Sequence, residues 1–221
     1  MDIDQMYENF NRYIEILSSV ERDGIEDLCT YIKGTDFPTA PASTIYHLAE
    51  PGGLCKHSLN VYDNMVKLRD MFFPDMPDDT IKVAALCHDL AKIDFYKTEV
   101  RNKKVYSKDG SKSDELGNFD WVSVPGYRVK DASERDLICG EHGVNSYIIA
   151  SRFIKLSEGE ACAIINHHAG KDNGYALKDL NEAFNRFPTL TLLHLSDMLS
   201  SYCTENSNYI PPEPEEKTKD E

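Results

Sequence analysis

The chain of 221 residues carries seven histidines, at positions 47, 57, 88, 142, 167, 168 and 194. Imidazole beside carboxylate is the donor set of transition-metal sites and of general acid–base catalysis. In the stretch VAALCHDLAK, residues 83–92, His88 and Asp89 sit side by side among residues that belong in a core. The same conflict recurs along the chain. His57 lies three residues after Leu54 and four before Val61, and His88 lies seven after Ile81. Asp89 follows Ala85 by four, and His142 follows Ile138 by four and precedes Ile149 by seven. His167 is three after Ile164, and Asp197 is four after Leu193 and seven after Leu190. Helical spacings of three, four and seven return to one face. The pattern therefore turns six titratable groups on five separate helices inward.

A single inward histidine is ordinarily a satisfied core residue. Six such groups, two of them acids, offset one another's desolvation by converging on cations. Imidazole and carboxylate oxygen suit Fe, Mn, Co, Ni or Zn, as one ion or two, better than Ca. Lys92 is four residues after His88 and shares its helix face, either as part of the site or as an exposed lysine near a helix end. His194, three before Asp197, either orients that carboxylate or packs. His47 either lines the mouth of the pocket or packs in a loop.

These side chains need a helical frame. Met6, Phe10, Tyr13, Ile14 and Leu17 form one helical stripe, and Ile25, Leu28, Cys29 and Ile32 a second, ended by Gly34. TDFPTAPAS reads as a proline-punctuated loop and EPGGLCKHS as a turn feeding a helix, with the next helix starting at Pro77 or Asp78. From about residue 94 the pattern alternates. FYKTEVRNKKVYSKDG and NFDWVSVPGYRVK predict a β-hairpin or small irregular insert over 94–136. Helices resume at about 137 with LICGEHGVNSYIIASRFIKL. SEGEACAIINHH follows, with a capping box at Ser157 and Glu160, then ALKDLNEAFNRF and TLTLLHLSDMLSSY. The expectation is an all-α bundle with a small β insert. Residues 1–34 form N-terminal helices packing on the core, 35–203 the main domain, and 204–221 an acidic, Pro-rich tail expected to be disordered.

Composition narrows the function. Net charge is −14, of which the tail supplies −4, and this argues against a broad grip on duplex nucleic acid. A nucleotide in a metal-lined pocket stays compatible, because bound cations invert the local field. No apolar run reaches the ~18 residues of a membrane helix, and MDIDQMYENF lacks a signal-peptide layout. A cytoplasmic protein is expected, with its six cysteines reduced and mostly buried. Nothing in the sequence fixes an oligomeric state.

The ordered stretches PGGLCKHSLNV, AALCHDLAK, GEHGVNS, AIINHHAG and LLHLSDMLSSY span most of residues 47–203. Together they resemble the HD-domain superfamily of helical metal-dependent phosphohydrolases. The order H…HD…H…H…D is that family's two-metal arrangement. The GGL and HHAG context is closest to the HD domain of bacterial 3′–5′ exoribonucleases, without their OB-fold. The resemblance implies that His57, His88, Asp89 and Asp197 hold one metal. His142 and His167 complete the second site, with Asp89 bridging. His168 is either a seventh ligand or a residue that caps or lines the pocket.

The activity that this resemblance implies is cleavage of a phosphoester of a nucleotide or short oligonucleotide by attack of a metal-bridging hydroxide. Asp89 and Lys92 carry the chemistry, Lys92 offsetting charge on the phosphoryl oxygens. Substrate contacts are expected from His47, Lys92, Tyr127 and Arg128. In the insert, Phe95, Tyr96, Trp121 and Lys130 offer further π faces and charge, or else form the insert's own small core. Two rivals use the same sequence: a di-iron oxygenase with this ligand set, and a non-catalytic nucleotide-binding module.

Overall fold

The structure, a computed structural model, describes residues 1–136, 139–168 and 177–205. Asp2 caps α1 (Ile3–Ser18), its carboxylate accepting from the Gln5 N–H at 2.8 Å. A left-handed Gly24 opens α2 (Ile25–Lys33). A Cβ there would collide with the Phe153 carbonyl, so both the turn and the close approach require glycine. The long α3 (Gly53–Phe72) follows the PGG turn, and α4 (Asp78–Cys87) follows Pro77. These helices bury a continuous core that includes Tyr13, Leu17, Leu28, Ile32, Phe37, Leu54, Leu86 and Leu90. Tyr13 donates its hydroxyl to the Leu86 carbonyl at 2.6 Å inside that core. The N-terminal pair thus packs on α3 and α4, and Arg12 forks onto Asp63 from outside.

The sequence treats residues 83–92 as one helix, and the structure corrects this. The helix stops at Cys87, Asp89 adopts φ −113° and ψ 18°, and Leu90–Lys92 form a single 3-10 turn. The insert is a three-stranded antiparallel sheet rather than a bare hairpin: β1 (Tyr96–Tyr106), β2 (Lys112–Asp114) and β3 (Gly117–Val129), in the order β1-β3-β2. Its aromatics pack mainly on each other, Phe119 against Tyr106 and Trp121.

The fifth helix is shorter than expected. Instead of starting near 137, α5 covers His142–Ser151, because Gly140 takes φ +151° just before it. Leu137 and Ile138 lie outside the described residues. The capping box expected at Ser157 and Glu160 is present and opens α6 (Glu158–Asn166). Then come α7 (Leu177–Arg186) and α8 (Pro188–Leu199), which has proline in its first turn. A second core of Val61, Met65, Ile81, Ala84, Ala85, Ala163, Leu190, Leu192 and Leu193 joins α3, α4, α6 and α8. After α8 the chain makes a π-helical turn, Ser200–Thr204. The tail from 206 onward lies outside the described residues, whereas of its first two residues by sequence Thr204 bonds the Ser200 carbonyl of its own turn and Glu205 packs against α3.

All six cysteines are free. Cys29, Cys55 and Cys87 are buried, but Cys139 and Cys203 are exposed and Cys162 is half-buried, which departs from the expectation of mostly buried thiols. Among the described residues no helix is long and apolar enough to cross a membrane.

Candidate metal centre

The six groups singled out by spacing meet at one place, delivered by two kinds of local structure. His57 and Asp197 project from helix interiors, on α3 and α8. The other four sit at helix ends. His88 and His167 are the C-terminal caps of α4 and α6, Asp89 lies in the turn after His88, and His142 is the first residue of α5. A helix end lets a side chain leave the packed face and point into the space between helices.

Neighbouring motif residues hold those ends in place. Asn145 bonds the turn before His142 from both sides, donating to the Gly140 carbonyl and accepting from the Cys139 N–H, each at 3.1 Å. The Ser146 hydroxyl accepts from the Ala91 N–H at 3.0 Å and ties α5 to the Lys92 turn. Gly143 permits the approach of α5 to α6, where a Cβ would stand 2.5 Å from the Ile165 carbonyl.

Asp89 is at the centre and only 2% exposed. Its Oδ2 faces His88 Nε2 at 3.3 Å and His57 Nε2 at 3.6 Å. Its Oδ1 faces His142 Nε2 at 3.7 Å and His167 Nε2 at 3.8 Å. The carboxylate therefore looks toward two pairs of imidazoles at once. Asp197 also spans both sides, with Oδ1 3.2 Å from His57 Nε2 and Oδ2 3.4 Å from His168 Nε2.

The tautomers can be read from the partners. His88 Nδ1 lies 2.8 Å from the Ala85 carbonyl and His167 Nδ1 lies 2.7 Å from the Ile164 carbonyl. A carbonyl only accepts, so each Nδ1 carries a proton and the ring turns its Nε2 to the centre. Yet Nε2 of His88 is 3.4 Å from Nε2 of His57, and Nε2 of His142 is 2.9 Å from Nε2 of His167. Two donors each about 2.1 Å from a shared ion stand about 3 to 3.5 Å apart. Asp89 Oδ1, buried, has no hydrogen-bond partner among the described residues. Close pairs of imidazole nitrogens and an orphaned carboxylate oxygen fit a cation, and the mixed N/O set fits a divalent transition metal.

Among the described residues three groups could hold an ion: His57 with His88 and Asp89, His142 with His167 and His168, and His47 with His57 and Glu205. His168 thus stands beside His167 rather than in place of it.

Electrostatics without metal show how these groups strain against burial. Burial would raise the Asp89 carboxyl, but Lys92 and His88 override it and hold it well below the ordinary carboxylate range. Asp197 behaves alike through His168 and His57. Burial pushes His142 down to about 4 and lowers His167 strongly. Burial also opposes charge on His57, yet Asp197 and Glu205 raise it to about 10.

Lys92 is neither on a helix face nor in solvent. Its ammonium lies 2.7 Å from Asp89 Oδ2, with 12% of its side chain exposed. His47 flanks the cluster, its ring centroid 4.9 Å from that of His57, and its Nε2 is buried with no partner among the described residues. His194 does not orient Asp197: its Nδ1 donates to the His167 carbonyl at 2.6 Å. Tyr127 and Arg128 are not brought in. They pair with Thr98 and Lys97 in the sheet, and Arg128 turns to Asp131 at 3.5 Å. Among the described residues neither makes a hydrogen bond, ion pair or ring contact with the cluster. Tyr96 comes nearer, feeling both Lys92 and Asp89 while its hydroxyl donates to the Ala42 carbonyl at 3.3 Å.

Sequence reasoning missed Glu205. Its side chain is 1% exposed and lies 3.0 Å from His57 Nδ1. It stands eight residues after Asp197, a spacing that leaves a regular helix face, so only an isolated acid after SSYCT marked it.

No curated protein and no solved structure matches the chain. The family model described as HD domain matches residues 54–201, about two thirds of the sequence, and that span holds every residue of the His/Asp cluster. The chain belongs to the HD-domain family, generally one of metal-dependent hydrolases.

Proposed function

We propose that the protein is a metal-dependent phosphohydrolase that cleaves a phosphoester of a nucleotide or short oligonucleotide at this cluster. The observation that carries the reading is the Asp89 carboxylate set between two imidazole pairs. His57, His88, Asp89, His142, His167 and Asp197 would hold one or two divalent ions of Fe, Mn, Co, Ni or Zn, with His168 as a further donor. When bound, the metal supplies Lewis acidity at a phosphoryl oxygen and a water acidified toward roughly pKa 7.

The chain's own groups do the rest. The Nδ1–H bonds of His88 and His167 to backbone carbonyls fix the rings so that Nε2 faces inward. Lys92, at the edge of the cluster, offsets negative charge building on the phosphoryl oxygens. His47, with its unpartnered Nε2, lines the mouth and offers a hydrogen bond to the substrate. The apolar wall of Ala84, Ala85, Leu86 and Leu90 excludes bulk water and strengthens each of these interactions. The net charge of −14 favours a small substrate over duplex nucleic acid.

Metal analysis of the purified protein, with a phosphatase and phosphodiesterase screen over a nucleotide library, tests the reading. The expected result is at least one equivalent of transition metal and release of phosphate or a nucleotide. Substrate-dependent oxygen uptake with a mixed-valent di-iron signal, and no phosphoester cleavage, would assign the same ligands to an oxygenase.

A further inference from the structure

His57 differs from His88 and His167 in what holds its second nitrogen. His88 and His167 give their Nδ1–H to main-chain carbonyls. The Nδ1 of His57 instead faces both carboxylate oxygens of Glu205, at 3.1 and 3.0 Å. Asn60, one turn further along α3, donates its amide to Glu205 Oε1 at 2.8 Å. The glutamate is fixed between two residues of α3 although it comes from the far end of the chain.

The π-helical turn after α8 makes this possible. In a regular helix the residue seven after Asp197, Thr204, would share its face. The turn Ser200–Thr204 takes up one extra residue, closed by the Glu205 N–H to the Ser200 carbonyl at 2.9 Å. Glu205 thereby inherits the Asp197 face. The turn is pinned at Ser200 by Asn64, which donates at 3.0 Å. Both carboxylates then meet the same imidazole from opposite edges, Asp197 at Nε2 and Glu205 at Nδ1.

We infer that Glu205 is a positioning residue for metal binding: it accepts the Nδ1–H of His57, fixes Nε2 toward the centre and makes that nitrogen a more electron-rich donor than the carbonyl-bound His88 and His167. A carboxylate partner raises the donor strength of a ligating histidine more than a neutral carbonyl does, and losing such a partner typically costs about 10–100-fold in metal affinity. The two sides of the centre are consequently unequal. The position formed by His57, His88 and Asp89 is the tighter one, and the position formed by His142, His167 and His168 the weaker.

This inference rests on the metal-centre reading. The test is a titration of chelated full-length protein with Co(II), followed by calorimetry and by the visible absorption of the bound ion. Wild type should show two unequal steps. Glu205→Gln keeps the side-chain shape but removes the charge. It should weaken the tighter step about 10–100-fold, alter its absorption band and leave the weaker step unchanged. Asn60→Ala, which frees the glutamate without touching His57, should shift the same step in the same direction by less, and decides the matter if Glu205→Gln melts early without metal. Unchanged affinity in folded Glu205→Gln, or an equal loss in both steps, overturns the inference. Failure of the wild type to bind Co(II) would instead overturn the metal centre itself.

Discussion

Asp89 and Lys92 can be separated experimentally because they are paired yet do different work. Asp89 is the carboxylate shared by both imidazole pairs, so Asp89→Ala should abolish metal binding and turnover together, as read by metal analysis and phosphate release. It also leaves Lys92 buried without its ion-pair partner, which costs about 3–5 kcal/mol and should appear in denaturant melts. Lys92→Met keeps the ligands and should retain metal, while kcat falls about 100-fold through lost charge stabilisation. Full activity in either variant contradicts the assignment. Stability of the metal-free protein should also depend on pH in a defined way. His142 is depressed to about 4, so its contribution is present above its unfolded value of 6.5 and is lost as pH falls through 4. His57 is raised to about 10, so its contribution is present below 6.5 and is lost as pH rises through 10. Metal-free melts across pH 4 to 10 should peak near pH 6.5, and a monotonic profile would contradict these opposed shifts.

At the scale of elements, the centre depends on how closely helices approach. Gly143 sits where α5 crosses the end of α6, and the missing side chain keeps His142 Nε2 within 2.9 Å of His167 Nε2. Gly143→Ala must push α5 outward, and metal at the His142–His167 pair should weaken at least tenfold while the His57 side is spared. A second joint is Arg22, just before α2, which forks onto the fully buried Glu160 at 2.8 and 2.9 Å. Glu160 also closes the capping box of α6, so Arg22→Ala should cost about 3 kcal/mol, seen as a lower urea midpoint. These elements were unequally legible in the sequence. Periodicity and the Ser157 box located the helices, and alternation located the insert. Neither showed where helices stop, because Cys87 and Asn166 end helices without a glycine or proline to mark them. His88 and His167 are inward for that reason, and not only because spacing puts them on an apolar face. Glu205 was invisible because a π-turn breaks the 3.6-residue rule on which every such spacing rests. Tyr127 and Arg128 had suitable chemistry but no sequence signal for where a strand would carry them.

Across the whole molecule, the cluster is the point where α3, the α4 turn, α5, α6 and α8 meet. The two apolar cores flank it, and at the junction itself the helices meet through His, Asp and Glu. With no cation, close imidazole nitrogens and the orphaned Asp89 oxygen oppose this junction. With one bound, the same groups draw the helices together, so the free energy of binding adds to that of folding. Ligand at 1,000 times its dissociation constant stabilises the native state by about 4 kcal/mol. In a domain of this size that corresponds to roughly 8–16 °C in Tm. Exhaustive chelation should therefore lower Tm by about that amount, and restoring one divalent transition metal should recover it. The α1–α2 end is tied to α3 and α4 by the core around Tyr13 and Phe37, whose buried residues on α5, α6 and the link between them are Ile149, Ala150, Ile154 and Ile164. Hydrogen exchange should consequently speed up most in α5, the α6 end and the turn after α8 on chelation, and least in α1. Exchange that rises uniformly over the chain, or a Tm unmoved by chelation, would mean that the helices meet at this cluster without needing an ion.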